Sequence, residues 1–283
     1  MDGAMRYWIA ITMVRGLLKS TAIKLLQRFG SPEAVFDRCA RSHADEIPPG
    51  ALRSIKAFTA WERVDRELNM IEEGAVSVVT YLDSDYPARL KEVPDPPLIL
   101  YTKGKIDCLK NKKAVAVEGT RLATPGGLGA ARALAGSLAS SGVAVVSGMA
   151  RGCDGAAHSG ALGAGGFTIA VLGTGVDVPY PKENKGLYGD ILKSGLVISE
   201  LPMGTTPVPK NFLRRNRIIN GISTGIVVVE ANMRSGSMMT ARLAFENNRP
   251  VFIPAGNMNP AMEKLRAKGA VTVRGASDII KYI

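Results

Sequence analysis

The chain has 283 residues, 46% of them hydrophobic, and a formal net charge of +11, and this length suits two domains. It has no apolar run long enough to span a bilayer, and its first residues lack the pattern of a signal peptide, so we expect a cytoplasmic protein. Its two histidines and three scattered cysteines lack the spacing of a zinc site or a disulfide framework, and we expect neither a metal nor a cofactor.

Residues 1–75 have the pattern of a small helical domain. Gly30 follows one amphipathic segment, and glycine often ends a helix because it adopts the left-handed conformation without strain. Ser31 and Pro32 then suit the cap and the first turn of the next helix. Helices are predicted around residues 9–17, over 20–29, from 31 onward and over 52–73.

Residues 76–111 are predicted to form a strand-containing connector that leads into a second domain. Two apolar runs, 76–81 and 98–101, have the composition of strands. Two stretches rich in proline and aspartate, 83–87 and 93–97, lie between them and are expected to be loops.

Short apolar runs rich in valine and isoleucine alternate with helical segments over residues 112–283. Because uninterrupted apolar strands are typical of a parallel sheet buried on both faces, this alternation predicts a doubly wound α/β domain with a mostly parallel sheet. Strands are predicted over 114–117, 143–147, 168–172, 196–199, 226–230, 251–254 and 271–273. Helices are predicted over 128–140, 154–162, 183–193, 211–222, 237–247, 262–268 and 276–283.

Most of the positive charge lies in the second part of the chain. Residues 1–110 contain 16 Lys+Arg and 15 Asp+Glu, whereas residues 111–283 contain 20 and 10. A basic excess confined to one part of the chain indicates an anionic partner.

The densest cationic stretch, residues 210–221, has four cations, no carboxylate and one aromatic ring, Phe212. On the predicted helix Arg214 and Arg217 share a face, while Arg215 points elsewhere. A solvated helix face is one interpretation. An unbroken cationic cluster beside a stackable ring favours the other, a surface for a polyanion.

Glycine recurs in the loops that follow five predicted strands. Because the carboxyl ends of parallel strands meet at one edge of a sheet, these loops should line the same edge. Glycine lets backbone amides approach a phosphate, and Arg121, Arg151 and Arg234 add positive charge. The alternative is that these glycines only make tight turns. The loops are 119–121, 148–154, 173–177, 200–204 and 231–237.

Catalytic motifs are not apparent in the sequence. It has neither the glycine fingerprint of a dinucleotide site nor the phosphate loop of nucleoside triphosphatases. Asp154 and His158 can share a proton, but a helix cap beside a packed histidine is the preferred interpretation. Glu230 is interpreted as a structural carboxylate that binds loop amides, in preference to a base. We therefore expect a binding protein and not an enzyme.

Several long motifs strongly resemble the DprA/Smf family, and together they cover nearly the whole chain. They are RFGSPEA (28–34), VAVEGTR (115–121), SGMARGCDGAAH (147–158), TIAVLGTGVD (168–177), YPKEN (180–184), RNRIINGIS (215–223), VVEA (228–231) and SGSMMTA (235–241).

The resemblance implies a fold and a function. The fold is an extended Rossmann-like domain, here residues 112–283, preceded by a small helical domain like a sterile alpha motif, here residues 1–75. The implied function is to bind single-stranded DNA during DNA uptake in natural transformation, to protect it and to load the RecA recombinase onto it. Such a recombination mediator is a homodimer with no membrane association.

The loops and the resemblance together give ten candidate DNA-binding residues. Those from the basic stretch and the Gly-Thr-Arg loop are expected to contact phosphates or bases, and those from the Ser-Gly-Ser loop are expected to supply hydrogen-bond donors. We expect replacement of Arg215 and Arg217 by alanine to weaken DNA binding with little change in melting. The ten residues are Arg121, Arg151, Lys210, Phe212, Arg214, Arg215, Arg217, Ser235, Gly236 and Ser237.

The sequence departs from the family pattern at one position in these motifs and at one position just before RNRIINGIS. Glu118 stands where a small apolar residue is usual, and we expect it to pair with Arg121. Leu213 replaces a proline. The N-terminal domain also lacks the family's glycine hairpin, so we assign it no DNA contact.

The sequence is also compatible with two other functions. One is a nucleotide-processing enzyme of the phosphoribohydrolase type, whose glycine loop resembles residues 125–129, although Ala130 stands in place of its threonine. The other is a scaffold that contacts only protein.

Overall fold

The computed structural model describes residues 3–40, 47–110, 113–256 and 259–283. Helices dominate the first part of the chain, and strands and helices alternate in the rest. The predicted boundary between residues 111 and 112 lies outside the described residues. The helices are α1 (Gly3–Met13), α2 (Lys19–Phe29), α3 (Pro32–Ala40), α4 (Pro49–Lys56), α5 (Trp61–Glu73), α6 (Pro125–Ser140), α7 (Cys153–Gly163), α8 (Lys185–Ser194), α9 (Pro209–Ile222), α10 (Gly236–Glu246), α11 (Pro260–Ala267) and α12 (Ala276–Ile280).

The ends of α2 and α3 follow from local chemistry. Gly30 adopts φ 82° after α2, and its N–H donates to the carbonyl oxygen of Leu26. The Ser31 hydroxyl accepts a hydrogen bond from the N–H of Ala34 at 3.1 Å, as expected of a helix cap.

The predicted helix over residues 52–73 is wrong in one respect, because the chain turns between α4 and α5. The turn brings the rings of Phe58 and Trp61 together edge to face, with centroids 5.1 Å apart. Both rings also pack on Phe36, at 5.7 and 5.5 Å. This aromatic contact is made with another helix, so hydrophobic periodicity within the segment does not reveal it.

In the described part of the chain, nine strands form one sheet in the order β1-β2-β6-β5-β4-β3-β7-β8-β9. All pairings among β3 to β9 are parallel, whereas β1 pairs with β2, and β2 with β6, in antiparallel fashion. The Rossmann-like, mostly parallel sheet is therefore confirmed, and the two connector strands extend it. The strands are β1 (Ser77–Thr80), β2 (Ile99–Gly104), β3 (Ala114–Glu118), β4 (Ala144–Ser147), β5 (Thr168–Val171), β6 (Leu196–Ser199), β7 (Gly225–Val228), β8 (Val251–Pro254) and β9 (Val271–Val273).

The sheet is covered by helices on both faces. In β3, Val115 and Val117 belong to the hydrophobic core beneath α6, α7 and α12, whereas Ala114 and Ala116 belong to the core beneath α8 to α11. The N-terminal helices share this second core, which joins them to the sheet. Among the described residues, no helix is both long and apolar enough to cross a membrane.

The strand order places a crevice between β3 and β7. After β3 the chain builds β4, β5 and β6 on one side, and it then returns to form β7 on the other side of β3. Loops leave the two strands toward opposite faces at this point, and such a switch point is where open α/β sheets bind ligands.

Close approach of α6 and α7 depends on Gly160, where a Cβ atom would overlap the carbonyl oxygen of Arg132. We expect Gly160→Ala to lower the free energy of unfolding by about 1–3 kcal/mol, because the added methyl group pushes the two helices apart. Gly163→Ala on the same helix is the control, since a Cβ atom there meets nothing within 4 Å. Urea unfolding measures both variants, and equal stability would contradict this account of the helix contact.

Candidate nucleic-acid interface

An open cleft of about 720 Å³ lies at the carboxyl edge of the sheet, at the crevice between β3 and β7. Residues of the loops after these two strands and of the start of α9 line it. Six of the ten predicted site residues line the cleft, and they come from three separate parts of the chain. They are Arg121, Phe212, Arg215, Ser235, Gly236 and Ser237.

An aromatic pair forms one wall of the cleft. The rings of Phe212 and Tyr180 are 5.4 Å apart and tilted by 48°, and the Arg121 guanidinium lies 5.8 Å from the Phe212 ring centre. Phe212 lies against Gly173, where a Cβ atom would come within 2.8 Å of the ring. Tyr180 is not among the ten predicted residues, although it lies in the YPKEN motif, and its position beside Phe212 makes it part of the site.

The opposite wall offers hydrogen-bond donors. The hydroxyls of Ser235 and Ser237 are 2.8 Å apart, and Gly236, the first residue of α10, is exposed. The N–H groups of a first helical turn have no partner within the helix, and they favour an anion. Arg234 is exposed on the same wall and lines the cleft.

Two further predicted residues lie outside the lining of the cleft. Lys210 is exposed in the first turn of α9. Arg151 is also exposed, and it pairs with Glu183 at 2.6 Å.

Helix α9 directs its arginines to two different places, as the sequence predicted. Arg214 and Arg217 face a seam with the N-terminal helices, where Glu200 and Asp95 bind them. Glu200 lies 2.5 Å from Arg217 and 2.8 Å from Lys19 of α2. Arg217 is 9% exposed, whereas Arg214 is half-exposed and lies 3.1 Å from Asp95. These two predicted site residues therefore already have carboxylate partners.

Arg215 points to the floor of the cleft and is 5% exposed. Its Nη1 donates to the carbonyl oxygen of Val171 and its Nε to the side-chain oxygen of Asn216. Gly148 makes room for the guanidinium, since a Cβ atom there would overlap it.

The expected pair between Glu118 and Arg121 is wrong. Glu118 is buried, and it interacts with Arg215, Asp154 and Thr240, while Arg121 lies over Phe212. Burial and the charge of Asp154 raise the pKa of Glu118 to about 7, and Arg215 opposes this shift. The reason is the direction of the strand: the last side chain of β3 points toward α9 and α10, away from the loop that carries Arg121.

Asp154 and His158 do not bond to each other, and His158 is packed as in the preferred interpretation, but the expected cap is wrong: Gly152 precedes α7, and among the described residues no side chain caps this helix. Asp154 accepts a hydrogen bond from the N–H of Ala150 at 3.3 Å. The Nδ1 atom of His158 lies 2.6 Å from the hydroxyl of Thr168. Burial, together with Arg215, lowers the pKa of His158 to about 3, so this imidazole is neutral at physiological pH.

Glu230 is also a structural carboxylate. It accepts hydrogen bonds from the N–H of Thr124 at 3.2 Å and from its hydroxyl at 2.9 Å. Thr124 caps α6 through the N–H of Gly127. Glu230 thus fixes the start of the helix that contains residues 125–129.

Comparison with known proteins identifies the family. Residues 77–283 match the family model described as DNA recombination-mediator protein A. The chain belongs to the DNA recombination-mediator protein A family. It is 42% identical over 203 residues to the DNA processing protein DprA of Streptococcus pneumoniae, an alignment that covers 70% of this chain and 71% of the relative. It is 37% identical over 260 residues to the protein Smf of Synechocystis, covering 87% of this chain and 63% of the relative. The chain thus spans less than two thirds of the length of that second relative.

Solved structures of family members have the same fold. The X-ray structure of DprA from S. pneumoniae has a TM-score of 0.81 at 33% identity, and the match covers 98% of this chain and 97% of that one. DprA from Helicobacter pylori has a TM-score of 0.66 at 31% identity, covering 73% of this chain and 94% of that one. The latter structure is described as giving insight into the single-stranded DNA binding mode of the Helicobacter protein.

In this member of the DNA recombination-mediator protein A family, burial changes the stability expected for arginine variants of α9. We expect Arg217→Ala to lower the free energy of unfolding by about 1.5–3 kcal/mol, because the buried Glu200 loses its shortest charged hydrogen bond while it keeps Lys19 and Arg214. The control is Arg242→Ala, which breaks an exposed pair with Glu246 and is expected to change the free energy of unfolding very little. Urea unfolding compares the two, and a similar small loss in both would contradict the importance of the seam. The double variant of Arg215 and Arg217 is thus expected to melt at a lower temperature than the wild type, whereas the sequence led us to expect little change in melting.

Replacing Glu118 with glutamine is expected to remove a pH dependence of stability. Because the pKa of Glu118 is raised from its ordinary 4.5 to about 7, the folded state binds more protons than the unfolded state between these values. The stability of the wild type relative to Glu118→Gln should therefore fall as pH rises from about 4.5 to about 7. Urea unfolding across this range measures the difference, with Glu246→Gln as the exposed control. If the difference in unfolding free energy between the wild type and Glu118→Gln stays constant with pH, the raised pKa of Glu118 is contradicted.

Proposed function

We propose that this protein binds single-stranded DNA in the cleft between the loops that follow β3 and β7. The observation that carries the proposal is the arrangement of the walls: a stackable aromatic pair on one side, backbone and hydroxyl donors on the other, and exposed cations at the mouth. Family membership and the description of the Helicobacter relative support it.

Phosphates and bases should contact different groups. We assign phosphates to the exposed cations Arg121, Lys210 and Arg234 and to the N–H groups at the start of α10, because these groups are solvated and positive. We assign a base to the Phe212 ring, since stacking tolerates every base.

The remaining predicted residues have two kinds of role in this proposal. Arg151 and Arg214 are exposed, and a phosphate can reach each by displacing its carboxylate partner. Arg215 and Arg217 are buried, and we propose that they hold α9 in place so that Phe212 faces the cleft.

On family membership alone, we propose that the protein acts as a recombination mediator without catalytic activity. In this role it protects incoming single strands during natural transformation, loads the RecA recombinase and works as a homodimer. Formation of RecA filaments on strands coated with single-strand binding protein, with and without this chain, tests the loading step. Sedimentation tests the dimer.

The phosphoribohydrolase alternative has less support. Residues 125–129 form the first turns of α6, and Glu230, the nearby carboxylate, is bound to Thr124. Incubation with nucleoside monophosphates separates the two functions, because release of free base in proportion to protein would favour the enzyme.

We expect Phe212→Ala to weaken binding of a thymine oligonucleotide by about 5-fold to 150-fold, because the loss of one base–aromatic stack costs about 1–3 kcal/mol. Phe167→Ala is the control: this ring is 45% exposed but precedes β5, at the opposite edge of the sheet. Fluorescence anisotropy over a salt series measures both variants. Wild-type affinity should fall with a log–log slope of about −0.7 per phosphate neutralised.

Equal affinities of the two phenylalanine variants would move the binding site away from the cleft. Preference for duplex over single-stranded oligonucleotides would contradict the proposed function itself.

A further inference from the structure

The floor of the cleft contains a carboxyl group that the phosphate contacts leave unexplained. Glu118 is 4% exposed at the end of β3, and it is among the residues that line the cleft. Its Oε2 atom has no hydrogen-bond partner among the described residues. A buried acceptor without a donor is costly, so a ligand that brings a donor to this oxygen would be favoured.

The charges of the floor and the mouth are opposite in sign. At the floor, two carboxyl groups, Glu118 and Asp154, surround one cation, Arg215. At the mouth the cations Arg121 and Arg234 are exposed. A phosphate is attracted to the mouth and repelled from the floor, so the part of a nucleotide that suits the floor is a neutral base edge with N–H donors.

Of the two carboxyl groups, Glu118 is the one with accepting capacity left. Asp154 interacts with the backbone N–H groups of Ala150, Gly119 and Gly148. Glu118 bonds to Thr240, and its second oxygen has no donor among the described residues. Arg215 supplies a donor beside it, because the guanidinium carries a further amino group, Nη2, besides the Nη1 and Nε that bond to the protein.

We propose that the floor of the cleft recognises guanine, with Glu118 as the residue that determines specificity. The Watson–Crick edge of guanine presents the O6 acceptor beside two donors, N1–H and the N2 amino group. Arg215 Nη2 matches O6, and the Glu118 carboxylate accepts from both donors. This inference rests on the proposed function, since it assigns the base that enters the same cleft.

The other bases fit this floor less well. Thymine has one N–H between two carbonyl oxygens, and one of these oxygens would face the carboxylate. Adenine and cytosine each present one amino group beside a ring nitrogen acceptor, which the carboxylate repels. The Phe212 and Tyr180 rings stack on any of the four bases, so selectivity is expected from the floor alone.

The test compares three oligonucleotides of about 15 nucleotides, a length within the range of one single-strand binding site. One is all thymine, one has a single central guanine, and one has inosine there, which lacks the N2 amino group. Anisotropy is measured at about pH 8, above the pKa of about 7 of Glu118. We expect the guanine oligonucleotide to bind the wild type about tenfold more tightly than all-thymine, as one bidentate side chain–base pair provides, with inosine between them.

For each variant, the measured quantity is the ratio of its affinity for the guanine oligonucleotide to its affinity for the all-thymine oligonucleotide. Glu118→Val should reduce this ratio to about one, and Glu118→Gln gives the same test in an isosteric side chain. Glu246→Gln on the exposed face of α10 is the matched control and should keep the wild-type ratio. Circular dichroism melting verifies that each variant is folded.

The possible outcomes separate this inference from the proposed function. Equal affinity of the wild type for all three oligonucleotides overturns guanine recognition and leaves single-strand binding intact. A preference that persists in both Glu118 variants also overturns it, because another group then reads the base. Failure of every oligonucleotide to bind overturns the proposed function, and this inference with it.

Discussion

The position of helix α9 depends on two buried arginines that point in different directions. Arg215 enters the floor of the cleft, where Val171 and Asn216 accept its hydrogen bonds, and Arg217 pairs with Glu200 in the seam. A buried guanidinium without partners is strongly unfavourable, so both arginines favour the placement of the helix that keeps these contacts. The aromatic wall follows from this placement, because Phe212 lies less than one turn before Arg215.

The same constraint joins the N-terminal helices to the site. Lys19 at the start of α2 shares Glu200 with Arg217, and Glu67 of α5 accepts a hydrogen bond from the N–H of Met203 at 2.8 Å. Both contacts are made with the loop that follows β6. The N-terminal helices thus fix one of the edge loops and the basic helix, although none of their residues lines the cleft.

Two of the edge glycines serve the protein's own side chains. Gly148 makes room for the Arg215 guanidinium, and Gly173 makes room for the Phe212 ring. In the sequence these glycines have two interpretations, tight turns or amides presented to phosphate. The structure adds a third, since the missing side chain is what lets α9 approach the ends of β4 and β5. The Ser-Gly-Ser loop before α10 keeps the features of an anion site.

The order of residues was enough to predict the strands, the parallel arrangement of β3 to β9, the edge at which the loops meet, and the separation of Arg214 and Arg217 from Arg215. These properties follow from apolar periodicity and from the geometry of a single helix or strand. Which cations are buried is visible only in the folded protein, because burial depends on partners distant in the chain: Lys19 and Glu200 are 181 residues apart. The same kind of long-range packing produces the turn between α4 and α5, the contact of Tyr180 with Phe212 and the environment of Glu118. A local sequence pattern cannot predict contacts of this kind.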